Sequence, residues 1–419
     1  MLKNQRLLLA ACAGLLVTVS SCNTNVFNEE DYKKIVEFLS PVDSVDQSHT
    51  WKMDTVYQLR VAADVSIGAS ELLVLSGNPA AGNAEVLANR SISDGETVSV
   101  SFSAPLLSTA FYAALRNSNG QYLVMPFAAG KSELQFSEAN QSPVSIYAKL
   151  GTQTYTYCFD ESFPVPEDYD FNDVVLRLAY ERSGDRQLTV KVTLAAVGGD
   201  KQLGAAIRLV GYQYDDIESV ITAGDVIFNN DIPSTSVNLI EDFNLLTRGR
   251  QGEAVVALFQ DAHWAIDNRQ GVEYGMFTRK KYNVSAGTSG NFQQMAPRTV
   301  TYIINVKDAT KLNDFTFRSF DPFILEDYNG AVWEVHTNEH MLAQTLYEYP
   351  ATAIKNLPWA LCIPKGDFRY PLEGVNMGFK KRDATFGAYM TPSHSFGDWS
   401  EDHLTALDWY NYPTLNQVY

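Results

Sequence analysis

Alternation of apolar and polar residues with a period of two is the feature that most restricts the fold of this chain. In "VSVSFS", Val98, Val100 and Phe102 fall on one side of an extended segment and the serines fall on the other. Short runs of this kind recur between residues 55 and 127, and Asn119-Gly120 between two of them is a strong hairpin signal. This rhythm predicts a β-sandwich over residues 49–149.

A second β-rich block begins near Thr152. Val174, Leu176 and Leu178 alternate with their neighbours, the sequence Ser-Gly-Asp at 183–185 turns the chain, and a second alternating run follows. No amphipathic helix of convincing length interrupts this block. We therefore predict an all-β fold with two β-sandwich domains in tandem, the second over residues 150–419.

The N-terminus carries a targeting signal. Residues 1–21 contain Lys3 and Arg6, then an apolar run at 7–19, then small residues directly before Cys22. This pattern predicts a lipoprotein signal peptide, with acylated Cys22 as the mature N-terminus and a lipid anchor in the membrane. An ordinary cleaved signal peptide is the alternative. Asn23 differs from the usual inner-membrane retention residue, so we expect an outer-membrane lipoprotein of the cell envelope.

The acidic cluster that often accompanies surface export comes late here, at residues 29–31, so the periplasmic and outer faces both stay open. Residues 22–48 are predicted to hold the anchor, a short helix and a linker. The helix is indicated by acids at its start, apolar residues at helical spacing and Pro41 at its end. The polar stretch "VDSVDQSHT" predicts the linker.

Charge and cysteine content narrow the class of protein. The formal net charge of −17 becomes −19 when Lys3 and Arg6 leave with the signal, which argues against nucleic acid as a partner and favours divalent cations. Cys158 and Cys362 remain in the mature chain. They could form one disulfide in an oxidising compartment, or they could be two buried thiols.

The stretch "EDYDFNDVVLRL" at 167–178 gathers acids just before an apolar strand. In extended backbone Asp168, Asp170 and Asn172 would share one face, and Tyr169 and Phe171 the other. Calcium takes six to eight oxygen ligands in flexible geometry, and carboxylates crowded without a cation would raise one another's pKa. An EF-hand is excluded because its sixth position requires glycine and its twelfth requires glutamate.

We therefore predict a structural calcium ion at the entry of this strand, and a hydrogen-bonded turn is the alternative. The predicted ligands are Asp168, Asp170, Asn172 and Asp173. Further oxygens could come from Asp160, Glu161 and Glu167.

The segment "CFDESFPVPEDYDFNDVVLRL" resembles the entry of the LruC domain, in which an acidic stretch precedes D-x-D-F-N-D-V-V. The strings "SFDPFI", "WEVH", "LPWALCIPKGDFRYPLE" and "LDWY" follow in that family's order, so the resemblance covers residues 152–419. It implies a β-rich domain of exported and surface lipoproteins with no settled activity, and its matching oxygens here are Asp168, Asp170, Asn172 and Asp173. The chain departs from the family after "WEVH".

That departure creates an alternative, because residues 336–340 match the H-x-x-E-H string of inverted zincins. His336 and His340 would bind zinc, and Glu339 would polarise water. A third possibility is glycan capture on exposed Trp333, Trp359, Trp399 and Trp409. We favour a non-catalytic protein that binds an unknown protein or glycan at the cell surface, in adhesion or assembly.

Overall fold

The structure is a computed structural model. It describes residues 31, 34, 40–138, 143–146, 149–161, 168–224, 227–228, 236–241, 243–268, 272–273, 276–287, 290–340, 357–378 and 387–419. The predicted signal peptide, Cys22 and most of the predicted helix lie outside these residues, as does Glu167. Within the described part of the chain, no helix has the length and apolar character needed to cross a bilayer.

The first sandwich is built from two sheets. Its strands are β1 (Asp54–Asp64), β2 (Glu71–Leu75), β3 (Glu85–Ser91), β4 (Thr97–Pro105), β5 (Ala110–Arg116), β6 (Tyr122–Ala128), β7 (Glu133–Ser137) and β8 (Gly151–Thr152). One sheet has the order β4-β1-β7 and the other β6-β5-β2-β3-β8. The pairs β1–β7 and β3–β8 are parallel, and the other pairs are antiparallel. Strand β8 is only two residues long, and it forms one edge of the five-stranded sheet of this sandwich.

The period-two pattern selects the core between these sheets. Val98, Val100 and Phe102 are buried in it, together with Leu59 and Phe111. Ser101 and Ser103, on the other side of β4, are also buried, because that side faces the second sandwich. Ser101 donates to Asp314 Oδ1 at 3.1 Å, and Gln153 donates to the Ser103 carbonyl at 3.0 Å.

The second sandwich pairs a six-stranded sheet with a five-stranded one. Its strands are β9 (Thr154–Phe159), β10 (Val174–Gly184), β11 (Gln187–Ala196), β12 (Gly204–Gln213), β13 (Ile217–Thr222), β14 (Leu246–Arg248), β15 (Glu253–Phe259), β16 (Val272–Glu273), β17 (Met276–Phe277), β18 (Lys281–Tyr282), β19 (Phe292–Gln293), β20 (Arg298–Val306), β21 (Phe320–Tyr328), β22 (Ala331–Val335) and β23 (Ala360–Ile363). The sheet orders are β13-β20-β11-β10-β9-β23 and β14-β15-β12-β21-β22. Their facing side chains, including Leu176, Val190 and Ile324, form one core. The predicted all-β fold with two sandwiches is confirmed.

Helical elements are short. The described residues contain the α-helices α1 (Ala262–Ile266) and α2 (Phe396–Glu401). They also contain the 3-10 turns Pro79–Ala81, Tyr214–Asp216, Ala309–Asp314, Phe317–Ser319, Asn338–His340 and Trp409–Asn411.

The outer face of the six-stranded sheet is covered by the C-terminal segment. Phe396, Trp399 and Trp409 are fully buried in this second core. Val42 and Trp51 join them, which corrects the prediction that residues 42–50 are a polar linker. Apolar residues spaced among polar ones are enough to dock the segment, and the Asp46 N–H donates to the Ser400 carbonyl at 2.8 Å.

Both cysteines are free thiols, and no disulfide joins them. Cys158 on β9 lies opposite Leu361, and Cys362 lies opposite Tyr157. We call the core between the two sheets the inner core, and the core under the C-terminal segment the outer core. Because neighbouring residues on a strand point to opposite faces, Cys158 lies in the outer core and Cys362 packs against the inner core. Of the two predicted alternatives, the structure therefore has free thiols and no disulfide, with Cys158 buried and Cys362 half-buried.

Candidate metal site

The predicted calcium ligands lie at one end of the six-stranded sheet, where β9 ends and β10 begins. We call this region the acidic corner. It consists of Asp160, Glu161, Asp168, Asp170, Asn172, Asp173, Asp200, Lys281 and Glu373. The first six flank the two strands, Asp200 follows β11, Lys281 is on β18, and Glu373 belongs to the C-terminal segment.

The backbone of residues 168–173 differs from the extended form expected from the sequence. Tyr169 and Phe171 both have φ of 53°, in the left-handed region that aromatic residues rarely adopt. Their rings are buried in the outer core, as predicted. Asp170, Asn172 and Asp173 are buried as well, rather than outside. The left-handed residues break the strict alternation of an extended segment, so that polar and aromatic side chains both face inward.

Three carboxylates converge in the acidic corner. Asp160, Asp168 and Asp170 each place one carboxylate oxygen within 4.8 Å of the others. Asp160 and Asp170 are buried and Asp168 is half-buried. The structure thus brings together two of the four predicted ligands, and it adds Asp160 from the end of the neighbouring strand. Three carboxylates, each able to bind through one or both oxygens, suit a hard cation such as calcium.

Asn172 adds an amide oxygen to the same region. Its Nδ2 donates to the Pro371 carbonyl at 3.2 Å, which sets the orientation of the amide. Its Oδ1 is fully buried and accepts no hydrogen bond from any described residue. A buried acceptor without a donor is costly, and a cation would satisfy it. Asn172 therefore fits its predicted place among the ligands.

Hydrogen bonds from backbone amides hold the other side chains. Asp170 Oδ1 accepts from the Asn172 N–H at 3.1 Å, and its Oδ2 accepts from the Gly374 N–H at 2.8 Å. Asp173 Oδ2 accepts a short bond from the Glu161 N–H. Asp173 is thus turned toward Glu161, and it is not part of the converging group of three carboxylates.

The loop after β11 closes tightly over this arrangement. Glu161 accepts from the N–H groups of Asp200 at 3.0 Å and Lys201 at 3.1 Å. A Cβ at Gly198 would overlap Asn172 Oδ1, and a Cβ at Gly199 would lie 2.5 Å from Glu161 Oε2. Both glycines are needed here for the close approach of the backbone to the acidic corner.

Lys281 brings a positive charge into the acidic corner. Its Nζ lies 2.7 Å from Glu373 Oε1 and 3.3 Å from Asp200 Oδ2. Glu373 Oε2 is buried and accepts no hydrogen bond from a described residue. Sequence analysis missed Lys281 and Glu373 because they lie more than 100 residues from the motif, and nothing in their local sequence marks them.

The electrostatics show an excess of negative charge. Burial raises the pKa of Asp170 well above its ordinary value, and Asp168, Glu373 and Asp160 raise it further. Burial likewise raises the pKa of Asp173, with Glu161, Asp170 and Asp168 contributing. The pKa of Glu373 is also raised, mainly by burial, although Lys281 opposes the shift. A divalent cation would reverse these shifts by stabilising the charged forms.

The H-x-x-E-H string does not form a zinc site in this structure. His336 is buried, with Nδ1 2.8 Å from Asp321 Oδ2, and it stacks on Phe323. Glu339 is paired with Arg318, and with Lys52 at 2.9 Å. Among the described residues, no group of potential metal ligands includes this string. Strand β22 runs directly into His336, so the two histidines are not presented from one helix, as inverted zincins require.

The tryptophans do not form an exposed platform either. Trp359, Trp399 and Trp409 are buried, and Trp333 is half-buried. Trp399 and Trp409 stack at 5.7 Å within the outer core. The geometry therefore does not supply the exposed platform that the alternative of glycan capture requires, because Trp399 and Trp409 pack in the outer core and Trp359 packs in the core between the two sheets.

Comparisons with known proteins identify a domain but no activity. Residues 186–381 match a family model described as a domain of unknown function, DUF4842. This match lies within the part of the chain that resembles the LruC domain, and it begins after the acidic motif. No curated protein matches the sequence.

Among solved structures, a crystal structure of a candidate lipoprotein from Bacteroides ovatus matches with a TM-score of 0.50 and 15% identity. The match covers 84% of this chain and 99% of the other. The full-length major pilin SpaD from Corynebacterium diphtheriae matches with a TM-score of 0.14 and 11% identity, over 69% of this chain and 66% of the pilin, which is too weak to carry an argument. Residues 186–381 are therefore similar to the DUF4842 family, and the chain is similar in fold to the Bacteroides protein.

Proposed function

We propose that this chain is a non-catalytic lipoprotein of the cell envelope, that calcium stabilises its second sandwich, and that it acts in surface binding, adhesion or assembly. The anchor would be Cys22, and the outer membrane is the expected location. The signal-like residues 1–21 support this address, as does the similarity in fold to a protein named as a candidate lipoprotein. In the H-x-x-E-H string, His336 is paired with Asp321 and Glu339 is paired with Lys52, so these side chains have a structural role.

The observation that carries the calcium proposal is the meeting of Asp160, Asp168 and Asp170. The buried Asn172 Oδ1, which accepts no hydrogen bond from a described residue, gives separate support. These residues would hold the ion, and water molecules would complete its six to eight ligands. Bound calcium would fix the turn between β9 and β10 and compensate the strain of two left-handed aromatic residues, each costing on the order of 1–3 kcal/mol. The ion would have a structural role.

Thermal unfolding in calcium and in EDTA tests this proposal. Calcium at 100 times its dissociation constant should stabilise the fold by about 2.7 kcal/mol, a rise in Tm of roughly 5 °C or more. The double variant Asp160→Asn/Asp170→Asn should lose this response. Asp367→Asn, at an exposed acid of the same domain, should keep it. If the wild type melts alike in calcium and EDTA, the calcium proposal is wrong.

The anchor is tested separately in the full-length chain. Cells that express the wild type should incorporate labelled palmitate into the protein, and the Cys22→Ser variant should incorporate none. Equal labelling of the two would refute the anchor without affecting the calcium proposal, because Cys22 lies outside the acidic corner.

A further inference from the structure

A cleft runs between the two sandwiches, away from the acidic corner. Three adjoining cavities of about 600, 420 and 300 Å³ lie along it. Strand β3 of the first sandwich lines one side and the end of β10 lines the other, and Arg90 and Arg182 border all three cavities. These volumes fall in the range of small-molecule binding sites.

The two walls are held in a defined position. Asn89 on β3 donates through Nδ2 to the Arg182 carbonyl at 2.8 Å, and its Oδ1 accepts from the Arg182 N–H at 3.2 Å. One side chain thus acts as a strand partner for β10 of the other sandwich. The backbone that carries Arg182 is therefore fixed relative to β3.

The two guanidinium groups make few contacts with carboxylates of the described residues. Among the described residues, neither Arg90 nor Arg182 forms a salt bridge within 4.0 Å. Arg182 donates to the Gly184 and Asp185 carbonyls and to Asn313 Oδ1, and Arg90 donates to the Ser99 carbonyl. Each arginine has five N–H groups in a fork, so donors remain on both for a ligand.

The local charge contrasts with the rest of the chain. Burial lowers the pKa of Arg182 and the positive charge of Arg90 lowers it further, whereas Asp185 opposes the shift. Arg116, Lys149 and Lys191 add positive charge along the cleft of a protein whose net charge is −17. Acids also border the cleft: Glu71, Glu96, Glu181 and Asp185. Of these, Glu71 lies 3.7 Å from Arg116.

We propose that this cleft binds a small anionic ligand whose carboxylate, sulfate or phosphate group is held between Arg90 and Arg182. The planar fork of arginine matches such oxyanions through paired hydrogen bonds. This inference names a ligand class for the surface-binding role proposed above and rests on that role. It does not depend on the acidic corner, so the two can fail separately.

Titration calorimetry of the full-length protein, in a buffer with calcium and low salt, tests the proposal. The probes are trigalacturonate for carboxylates, a sulfated chondroitin disaccharide for sulfates and pyrophosphate for phosphates, with methyl-esterified trigalacturonate as the uncharged control. At least one acidic probe should bind, and the probe that binds identifies the source of the anion. Its affinity should fall at least tenfold in Arg90→Gln, the arginine with the fewer structural hydrogen bonds.

Arg60→Gln is the matched control, because Arg60 is an exposed arginine of the same sandwich that pairs with Glu133. It should bind the probe like the wild type. The proposal is overturned if no acidic probe binds at millimolar concentration, if the methyl ester binds equally well, or if Arg90→Gln binds like the wild type. Arg90→Gln should unfold cooperatively at a Tm close to that of the wild type, which shows that the variant is folded.

Discussion

Two buried clusters of charge in the second sandwich are balanced in different ways. The first is the acidic corner. The second, which we call the paired network, consists of Arg208, Glu253, Asp321 and His336 on the five-stranded sheet. Asp321 Oδ2 accepts from Arg208 Nε at 2.9 Å and lies 2.8 Å from His336 Nδ1, and Glu253 lies 3.5 Å from Arg208. Each carboxylate of the paired network therefore has a cationic side chain beside it.

The acidic corner is arranged differently. Lys281 neutralises Glu373 and Asp200 at its edge, whereas Asp160, Asp168 and Asp170 converge on one another. Burial raises the pKa of Asp170, and the neighbouring carboxylates raise it further. A buried carboxylate is stabilised by a cation, which can be a side chain of the protein or an ion from solution. The paired network has the first kind, and we propose that the acidic corner takes the second.

The same substitution should destabilise the two clusters to very different extents, and this is the largest effect that we expect. Asp321→Asn removes the negative charge between Arg208 and His336 and should cost about 3 kcal/mol with or without calcium. Asp170→Asn in EDTA should change the unfolding free energy by less than about 1 kcal/mol, because burial and the neighbouring carboxylates already disfavour the charged form of Asp170. Urea unfolding of both variants measures the difference.

With calcium added, Asp170→Asn should fall behind the wild type, because it gains nothing from the ion. If Asp170→Asn is instead as destabilised in EDTA as Asp321→Asn, the acidic corner is already balanced without an ion and the comparison fails.

A glycine substitution sharpens the comparison without changing any charge. Gly198→Ala places a methyl group on Asn172 Oδ1. The clash should destabilise the fold by about 1–3 kcal/mol and should also abolish the calcium-induced rise in Tm. Gly130→Ala is the control, because its Cβ would meet nothing within 4 Å. A Gly198→Ala protein that is less stable but still responds fully to calcium would remove Asn172 from the ligands.

The smallest effect is a pH dependence of the paired network. Burial alone would lower the pKa of His336, but Asp321 and Glu334 outweigh it and raise the pKa above 6.5. The resulting stability is fully present below about pH 6.5 and is lost as pH rises through the raised pKa. Saturating calcium should be present, so that the carboxylates of the acidic corner stay charged throughout.

Urea unfolding of the wild type and of His336→Gln between about pH 7 and 8 measures this effect. Burial lowers the pKa of His49 to about 4 and also lowers that of His340, and the two proteins share every titratable group except His336. The unfolding free energy of the wild type should fall across this interval. His336→Gln should show a smaller fall, and equal slopes for the two proteins would show that His336 is neutral in the native state.

Local patterns in the sequence account for much of the fold and part of the acidic corner. The alternation in β4 identified Val98, Val100 and Phe102 as core residues, and the D-x-D-x-N spacing drew attention to Asp168, Asp170 and Asn172. The expected extended backbone was wrong, since Tyr169 and Phe171 are left-handed. That conformation depends on packing against the C-terminal segment, where the Met377 N–H donates to the Tyr169 carbonyl at 3.0 Å.

Contacts between distant parts of the chain could not be predicted. Burial of Val42 and Trp51 under the C-terminal segment depends on residues more than 300 positions away. Pairing of His336 with Asp321 likewise depends on the register of β21 and β22.

The amino-acid sequence by itself determined the class of secondary structure, the two-sandwich organisation and a crowded set of acids at the start of one strand. These features are written in periodicity and composition, which act over a few neighbouring residues. Tertiary structure alone decided which oxygens converge, which histidine pairs with a buried carboxylate, and that Arg90 and Arg182 border the same cleft. Electrostatic energy depends on distance and burial, and only the folded chain sets both.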